Sequence, residues 1–134
     1  MTLVDSNVLL DVLSGDPHWL AWSVAALDAR AAAGRLLINE VIYAELSVRI
    51  NSETELNREV ARFNVSFARS PQRALFLAGQ SFRRYRTAGG ARTDVLADLF
   101  IGAHAKVLGC PVLTRDLRRY RTYFPDVELI TPEN

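Results

Sequence analysis

The chain has 134 residues, of which 49% are apolar and 23% charged, which favours a folded domain with a hydrophobic core over a disordered chain. This length predicts one domain spanning residues 1–134. The single cysteine excludes an internal disulfide, and the sequence has no apolar run long enough to cross a membrane. Because the N-terminus lacks the pattern of a signal peptide, we expect the protein in the cytoplasm.

Short apolar segments predicted as strands alternate with helical patterns along the chain. Asp16, followed by Pro17, is expected to cap the second helix, and Asn39 the third. This alternation is typical of a mainly parallel sheet covered by helices on both faces, an α/β fold. The predicted strands are 3–5, 36–38, 65–67, 112–114 and 127–130, and the predicted helices are 8–13, 17–34, 40–48, 53–63, 71–88 and 94–108.

Two aspartates follow predicted strands, Asp5 after the first and Asp116 after residues 112–114. Functional sites of open parallel sheets lie at the carboxyl ends of the strands. Each aspartate could equally be the N-cap of a following helix, so neither identifies a site by itself.

Two further acids, Glu45 and Asp98, lie on apolar helices. Glu45 shares a helix face with Val41 and Ile42, and Asp98 lies in a helix that is apolar on nearly every side. An isolated buried carboxylate is costly, so it must be paired, protonated or bound to metal. Arg49 could pair with Glu45, and the helix dipole could stabilise Asp98. All four acids together indicate a site, the four-carboxylate cluster of Asp5, Glu45, Asp98 and Asp116.

A cluster of carboxylate oxygens is typical of sites for Mg²⁺ or Mn²⁺, hard cations that also bind water and substrate phosphate. Zinc is disfavoured, because the sequence has one cysteine and two widely separated histidines. The net charge is +1 even though four of the acids lie in the cluster, so the rest of the chain is mildly basic. A basic surface around an acidic site fits an enzyme that acts on a polyanion. Fifteen of the sixteen basic residues are arginine, and this preference could also reflect codon bias.

Four short motifs contain the acids. In chain order they are the segments 4–11 (VDSNVLLD), 38–46 (INEVIYAEL), 98–105 (DLFIGAHA) and 113–116 (LTRD), the last followed by Tyr120 and Phe124. These motifs resemble those of PIN-domain ribonucleases, and specifically of VapC-like toxins from bacterial toxin–antitoxin pairs. The resemblance spans essentially the whole chain.

The resemblance implies a three-layer α/β/α sandwich and cleavage of RNA with Mg²⁺ or Mn²⁺, with Asp5 and Asp98 as the most dependable metal ligands. It implies a small antitoxin partner that blocks the site, and we also expect a homodimer. Asp94, one turn before Asp98, is a rival acid that is better explained as a helix N-cap.

Polar residues beside the acids have two interpretations. Ser6, Asn7 and Thr114 could orient the metal ligands, or could simply form caps and turns. A group of arginines near Asp116 could contact RNA phosphates, or could be a solvated helix face. These are Arg115, Arg118, Arg119 and Arg121. His104 should point away from Asp98 and be packed or hydrogen-bonded.

Three other functions fit the sequence less well than a ribonuclease does. A haloacid-dehalogenase phosphatase needs a second aspartate where Asn7 stands, and a phosphorylation receiver needs a lysine late in the sheet, whereas Lys106 lies on a helix. A flap-type DNA nuclease usually needs a longer chain. The remaining alternative is a catalytically inactive RNA- or protein-binding module of the same fold.

Overall fold

A computed structural model describes residues 1–93 and 95–132 of the chain. Within them, five strands form one all-parallel sheet in the order β3-β2-β1-β4-β5. The strands are β1 (Thr2–Val4), β2 (Leu36–Ile38), β3 (Val65–Phe67), β4 (Val112–Leu113) and β5 (Leu129–Ile130). The predicted strands at 36–38 and 65–67 are confirmed to the residue. Strand β1 begins and ends one residue earlier than predicted, and β4 and β5 are shorter than predicted.

Seven helices flank the sheet in the described part of the chain, which confirms the α/β/α fold. They are α1 (Ser6–Ser14), α2 (Leu20–Ala33), α3 (Glu40–Ser47), α4 (Glu53–Arg62), α5 (Gln72–Thr87), α6 (Val95–Leu108) and α7 (Arg118–Tyr123). None is long and apolar enough to cross a membrane.

The three central strands are apolar because the helices cover them. Leu3 and Val4 of β1, Ile38 of β2 and both residues of β4 are fully buried. A strand buried on both faces favours consecutive apolar residues over an alternating pattern. The edge strand β3 is only partly buried, and Phe67 at its end is 53% exposed.

Helix starts follow the predicted caps in one case and differ in the other. Asn39 caps α3, its side chain accepting a hydrogen bond from the Ile42 N–H at 3.0 Å. Asp16 accepts from the N–H groups of His18 and Trp19, but these close a turn. Helix α2 therefore begins at Leu20, three residues after the predicted start.

Helix α7 is not among the predicted helices, and it packs against α6 through a close approach. Tyr120 of α7 is buried, and Phe124, just after α7, lies against Gly102 of α6. A side chain at Gly102 would collide with the Phe124 ring, so glycine permits this contact. The contact holds α7 beside α6, which carries Asp98.

Candidate active site

The sheet has a switch point between β1 and β4, where the chain order of neighbouring strands reverses. Crevices for ligands form at such points, outside the carboxyl ends of the strands. Asp5 directly follows β1 and Thr114 directly follows β4, and the Asp5 N–H donates to the Leu113 carbonyl at 2.9 Å. Parallel pairing of β1 with β4 thus brings together residues more than one hundred positions apart in the chain.

Two hydroxyl groups hold the Asp5 carboxylate. The Thr114 and Tyr120 hydroxyls both donate to its Oδ2, at 2.8 Å and 2.9 Å. Burial raises the pKa of Asp5, and the charge of Asp116 raises it further, while the hydroxyl hydrogen bonds oppose the rise. Asp5 is therefore a buried acid whose orientation is fixed by neutral donors.

Asp98 lies in the first turn of α6, as predicted, and faces the same region. Its Oδ2 accepts a hydrogen bond from Arg119 Nη1 at 3.0 Å, and 22% of its side chain is exposed. Burial raises the pKa of Asp98 to about 7, and the Asp5 charge adds to the rise. Arg119 opposes the rise, and Asp116 contributes to it. The fold thus disfavours the ionised form of this carboxyl despite the nearby arginine.

Glu45 joins the site from α3. Ser6, which follows Asp5 in the chain, donates its hydroxyl to Glu45 Oε1 at 2.9 Å. Burial raises the pKa of Glu45, and the Asp5 charge adds to it. Ser6 therefore connects the two acids, and Glu45 is not paired with Arg49 in the way the alternative interpretation required.

Asp116 lies at the exposed rim of the site, on the loop between β4 and α7. Its N–H donates to Thr114 Oγ1 at 3.0 Å, and its Oδ1 accepts from the Arg118 N–H at 3.2 Å. Its charge acts on both Asp5 and Asp98. The charges of the four-carboxylate cluster therefore act on one another, and Asp5 interacts with each of the other three acids.

The cluster provides hard oxygen donors, which fit Mg²⁺ or Mn²⁺. No group of three or more His, Cys, Asp or Glu side chains within residues 1–93 and 95–132 is arranged to hold a metal ion by itself. Magnesium is commonly held by one or two protein carboxylates, with water and substrate phosphate completing its shell. Buried acids that raise one another's pKa suit a cation that relieves their repulsion, so the residues fit a partial ligand set.

The predicted arginine group is not a uniform surface. Arg115 forms a two-pronged ion pair with Asp11, and Arg119 pairs with Asp98. Arg118 and Arg121 are exposed on α7. The two exposed arginines are thus the members of the group most open to a ligand.

Three further polar residues were considered in the sequence: Asn7, His104 and Asp94. Asn7 accepts from the Arg115 N–H at 3.2 Å and donates to Thr114 Oγ1 at 3.3 Å, so it contacts the site through Thr114. His104 is buried away from Asp98, with its Nδ1 3.1 Å from Asn39 Nδ2, as expected. Asp94, the rival acid, lies outside the described residues.

Two site contacts were not predicted from the sequence. Tyr120 is part of the fourth motif, but its hydrogen bond to Asp5 was not predicted, and its position four residues after Asp116 was the available signal. Asp11 is 3% exposed, and an acid in the apolar helix after Asp5 could have been questioned on the same grounds as Asp98. Both contacts join segments from opposite ends of the chain.

Residues 2–125 match the sequence profile of the family described as PIN domain. No curated protein matches the chain in sequence.

Solved structures are similar to the chain over nearly its whole length. VapBC2 from Rickettsia felis, bound to a DNA fragment from its promoter, has a TM-score of 0.74 at 15% identity, covering 97% of both chains. FitAcB from Neisseria gonorrhoeae has a TM-score of 0.70 at 23% identity, covering 100% of this chain and 99% of that one. A toxin–antitoxin complex from Klebsiella pneumoniae has a TM-score of 0.70 at 19% identity, covering 98% of both. At these identities the likeness shows the fold.

Proposed function

Because this chain belongs to the PIN domain family, we propose that it is a divalent-metal-dependent endoribonuclease. PIN domains are generally nucleases, and they generally use divalent metals. The proposed active site is the four-carboxylate cluster. The observation that carries the proposal is the environment of Asp98, a carboxyl with a pKa of about 7 beside two other aspartates. Such a costly arrangement is expected where a cation binds.

We assign the cation to Asp5 and Asp98, with Glu45 and Asp116 completing the acidic surroundings. When bound, Mg²⁺ or Mn²⁺ would supply an activated water, orient the scissile phosphate and neutralise charge on the leaving oxygen. The chain's own residues hold the ligands in place. The hydroxyls of Thr114 and Tyr120 fix Asp5, and the Ser6 hydroxyl fixes Glu45.

Cleavage of RNA by the purified protein tests the proposal. We expect activity that needs Mn²⁺ or Mg²⁺ and stops when the ion is chelated, and a loss of at least a hundredfold in Asp98→Asn. Asp126→Asn is the matched control, because Asp126 is an exposed acid 4.0 Å from Lys106 and outside the cluster. Full activity in Asp98→Asn would contradict the site.

The competing function is a catalytically inactive binding module of the same fold. The ion pair between Arg119 and Asp98 favours it, since a protein cation already lies at the carboxylate. The two functions differ in one measurement. A binding module would bind RNA or a partner but show no cleavage at any Mn²⁺ concentration.

We further propose that the protein is the toxin of a toxin–antitoxin pair, inhibited by a small antitoxin. Support comes from similar structures of VapBC2, FitAB and a toxin–antitoxin complex. Expression of the chain alone should slow growth, and expression of Asp98→Asn at the same level should not. Equal growth of the two strains, with no small protein copurifying, would count against a toxin.

The expected homodimer and the single domain spanning residues 1–134 also remain proposals. Phe76 on α5 is an apolar residue with 60% exposure, and such side chains favour protein interfaces. To test the homodimer, sedimentation should give twice the chain mass, and Phe76→Glu should shift it to the mass of one chain.

To test the single domain, limited proteolysis should yield no stable fragment shorter than the whole chain.

A further inference from the structure

The structure carries an ion pair between the buried Asp11 and the partly buried Arg115, beside the proposed active site, that the proposed chemistry does not use. Arg115 donates from Nε to Asp11 Oδ2 at 2.6 Å and from Nη2 to Asp11 Oδ1 at 2.8 Å. The Asp11 side chain is 4% exposed and also accepts the Ser23 hydroxyl at 2.7 Å. The Arg115 guanidinium lies 5.0 Å from the Trp19 ring centre. Residues from α1, α2 and the loop after β4 thus meet at one arginine.

This arrangement leaves Arg115 poorly suited to bind RNA. Two of its nitrogens are occupied by Asp11, and Trp19 lies against its guanidinium. The neighbouring carboxylate also cancels its charge, so the pair attracts a polyanion only weakly. The predicted phosphate contact at Arg115 is therefore less favoured than a role inside the protein.

A short series of hydrogen bonds runs from Arg115 to the proposed metal ligands. Its backbone N–H donates to Asn7, and Asn7 donates to Thr114 Oγ1. Thr114 donates to Asp5, and its Oγ1 accepts from the N–H of Asp116. Arg115 stands between Thr114 and Asp116 in the chain, so anchoring Arg115 also fixes both neighbours.

Stability alone is a weak reason for such a pair. Replacing a buried ion pair by apolar residues of similar volume is often neutral or stabilising, because removing two charges from water is costly. Geometry is a better reason, since a two-pronged contact fixes both the distance and the angle of the guanidinium.

We propose that Asp11 and Arg115 are positioning residues, whose ion pair holds the loop between β4 and α7 so that Thr114 and Asp116 keep their places beside Asp5. The proposal rests on the proposed function, because it assigns the ion pair to the proposed metal site. It changes the role of Arg115 from substrate contact to support of the acidic residues. Partners that orient metal ligands typically change metal affinity ten- to a hundredfold when mutated.

The test compares the wild-type chain with Asp11→Asn, Arg115→Lys and the double variant Asp11→Asn/Arg115→Gln. Calorimetry measures Mn²⁺ affinity without RNA, and initial rates give kcat and KM for RNA. We expect each single variant to bind Mn²⁺ about tenfold more weakly, with an unchanged KM for RNA. Arg115→Lys keeps the positive charge but loses the planar guanidinium that donates two hydrogen bonds to Asp11. Weaker Mn²⁺ binding in this variant would therefore show that the geometry of the contact matters, and not only its charge. The double variant should lose no more than the singles, because the two residues act as a unit.

Asp28→Asn is the matched control, because it removes the same charge from an exposed position on α2. If a single variant fails to fold, the double variant carries the comparison, since it leaves no buried charge unpaired. Wild-type Mn²⁺ affinity in Asp11→Asn or in the double variant would overturn the proposal. So would a raised KM for RNA in Arg115→Lys without a matching change in Asp11→Asn, which would assign Arg115 to RNA. A wild-type chain that neither binds Mn²⁺ nor cleaves RNA would instead overturn the proposed function.

Discussion

Asp98 illustrates how a fold can oppose the ionisation of a carboxyl that it also pairs with an arginine. Its pKa rises from 3.8 to about 7 because burial and the Asp5 charge outweigh Arg119. The folded protein therefore binds this proton more tightly than the unfolded chain does. Since the folded state holds more protons between about pH 4 and pH 7, its stability falls as pH rises through that interval.

Replacing Asp98 with asparagine should remove this dependence when divalent cations are absent. At about pH 3 the variant and the wild type should melt at similar temperatures, because Asp98 is then protonated in both the folded and the unfolded state. At pH 8 the variant should melt higher, with an upper limit of about 4 kcal/mol in the free energy of unfolding. Thermal melts across this pH range, with chelator present, measure the difference. A constant difference between the two proteins at all pH values would contradict the raised pKa.

At the residue scale, the sequence identified the acids better than their partners. Glu45 and Asp98 are predicted because a carboxylate among apolar helix residues needs a compensating group, and Asp5 is predicted because it follows a strand of a parallel sheet. The hydroxyl of Tyr120 on Asp5 could not be found in this way, because 115 positions separate the two residues. That contact depends on the placement of α7, which follows from packing against Gly102 and not from local sequence.

At the scale of elements, α3 depends on its N-cap more than an exposed helix does. Asn39 is fully buried, and its side-chain oxygen accepts from Ile42 while its amide nitrogen lies 3.1 Å from His104 Nδ1. Because the cap fixes the amide orientation, the nitrogen is left to donate to His104, whose Nδ1 then accepts. The residue thus joins the start of α3 to α6.

Asn39→Ala should therefore cost more than a lost cap alone. Loss of the cap costs about 1 kcal/mol. Loss of the hydrogen bond from Asn39 to His104 Nδ1, which keeps the Ser70 hydroxyl 3.3 Å away, adds about 0.5–1.5 kcal/mol. Ser52→Ala is the control, because Ser52 caps α4 at an exposed position with a 3.3 Å bond. Urea unfolding of both variants measures the difference. Equal losses would mean that Asn39 only caps the helix.

The predicted elements were correct where apolar runs were bounded by turn residues. The strands at 36–38 and 65–67 agree to the residue. Helix α7 was missed because its six residues are mostly arginine, threonine and tyrosine, which give no apolar periodicity. It forms because Tyr120 and the adjacent Phe124 are buried by the rest of the fold.

At the scale of the whole molecule, the strand order explains why one region collects the acids. The order reverses between β1 and β4, which is where such sheets generally bind ligands, and α3 and α6 bring Glu45 and Asp98 to the carboxyl end of β1. A parallel α/β pattern in the sequence predicts such an edge but not the strand order. The order is set by which strands pack side by side, a long-range property of the chain.

The overall charge also bears on how RNA would reach this acidic crevice. The net charge is only +1, so any attraction for RNA must come from local groups of basic residues. Arg118 and Arg121 are exposed on α7, on the same short helix as Arg119, which contacts Asp98. We expect these two arginines to bind the RNA backbone beside the site.

Replacing Arg118 and Arg121 with glutamine should weaken RNA binding and reduce its dependence on salt. Each phosphate contact to a single strand contributes a slope of roughly −0.7 in the logarithm of affinity against the logarithm of salt concentration. Binding is measured in the Asp98→Asn background, so that RNA stays intact, over a series of salt concentrations. Glutamine at Arg58 and Arg73, exposed on α4 and α5, is the control for lost charge alone. If the α7 variant and this control give the same slope and the same affinity, Arg118 and Arg121 make no contact with RNA.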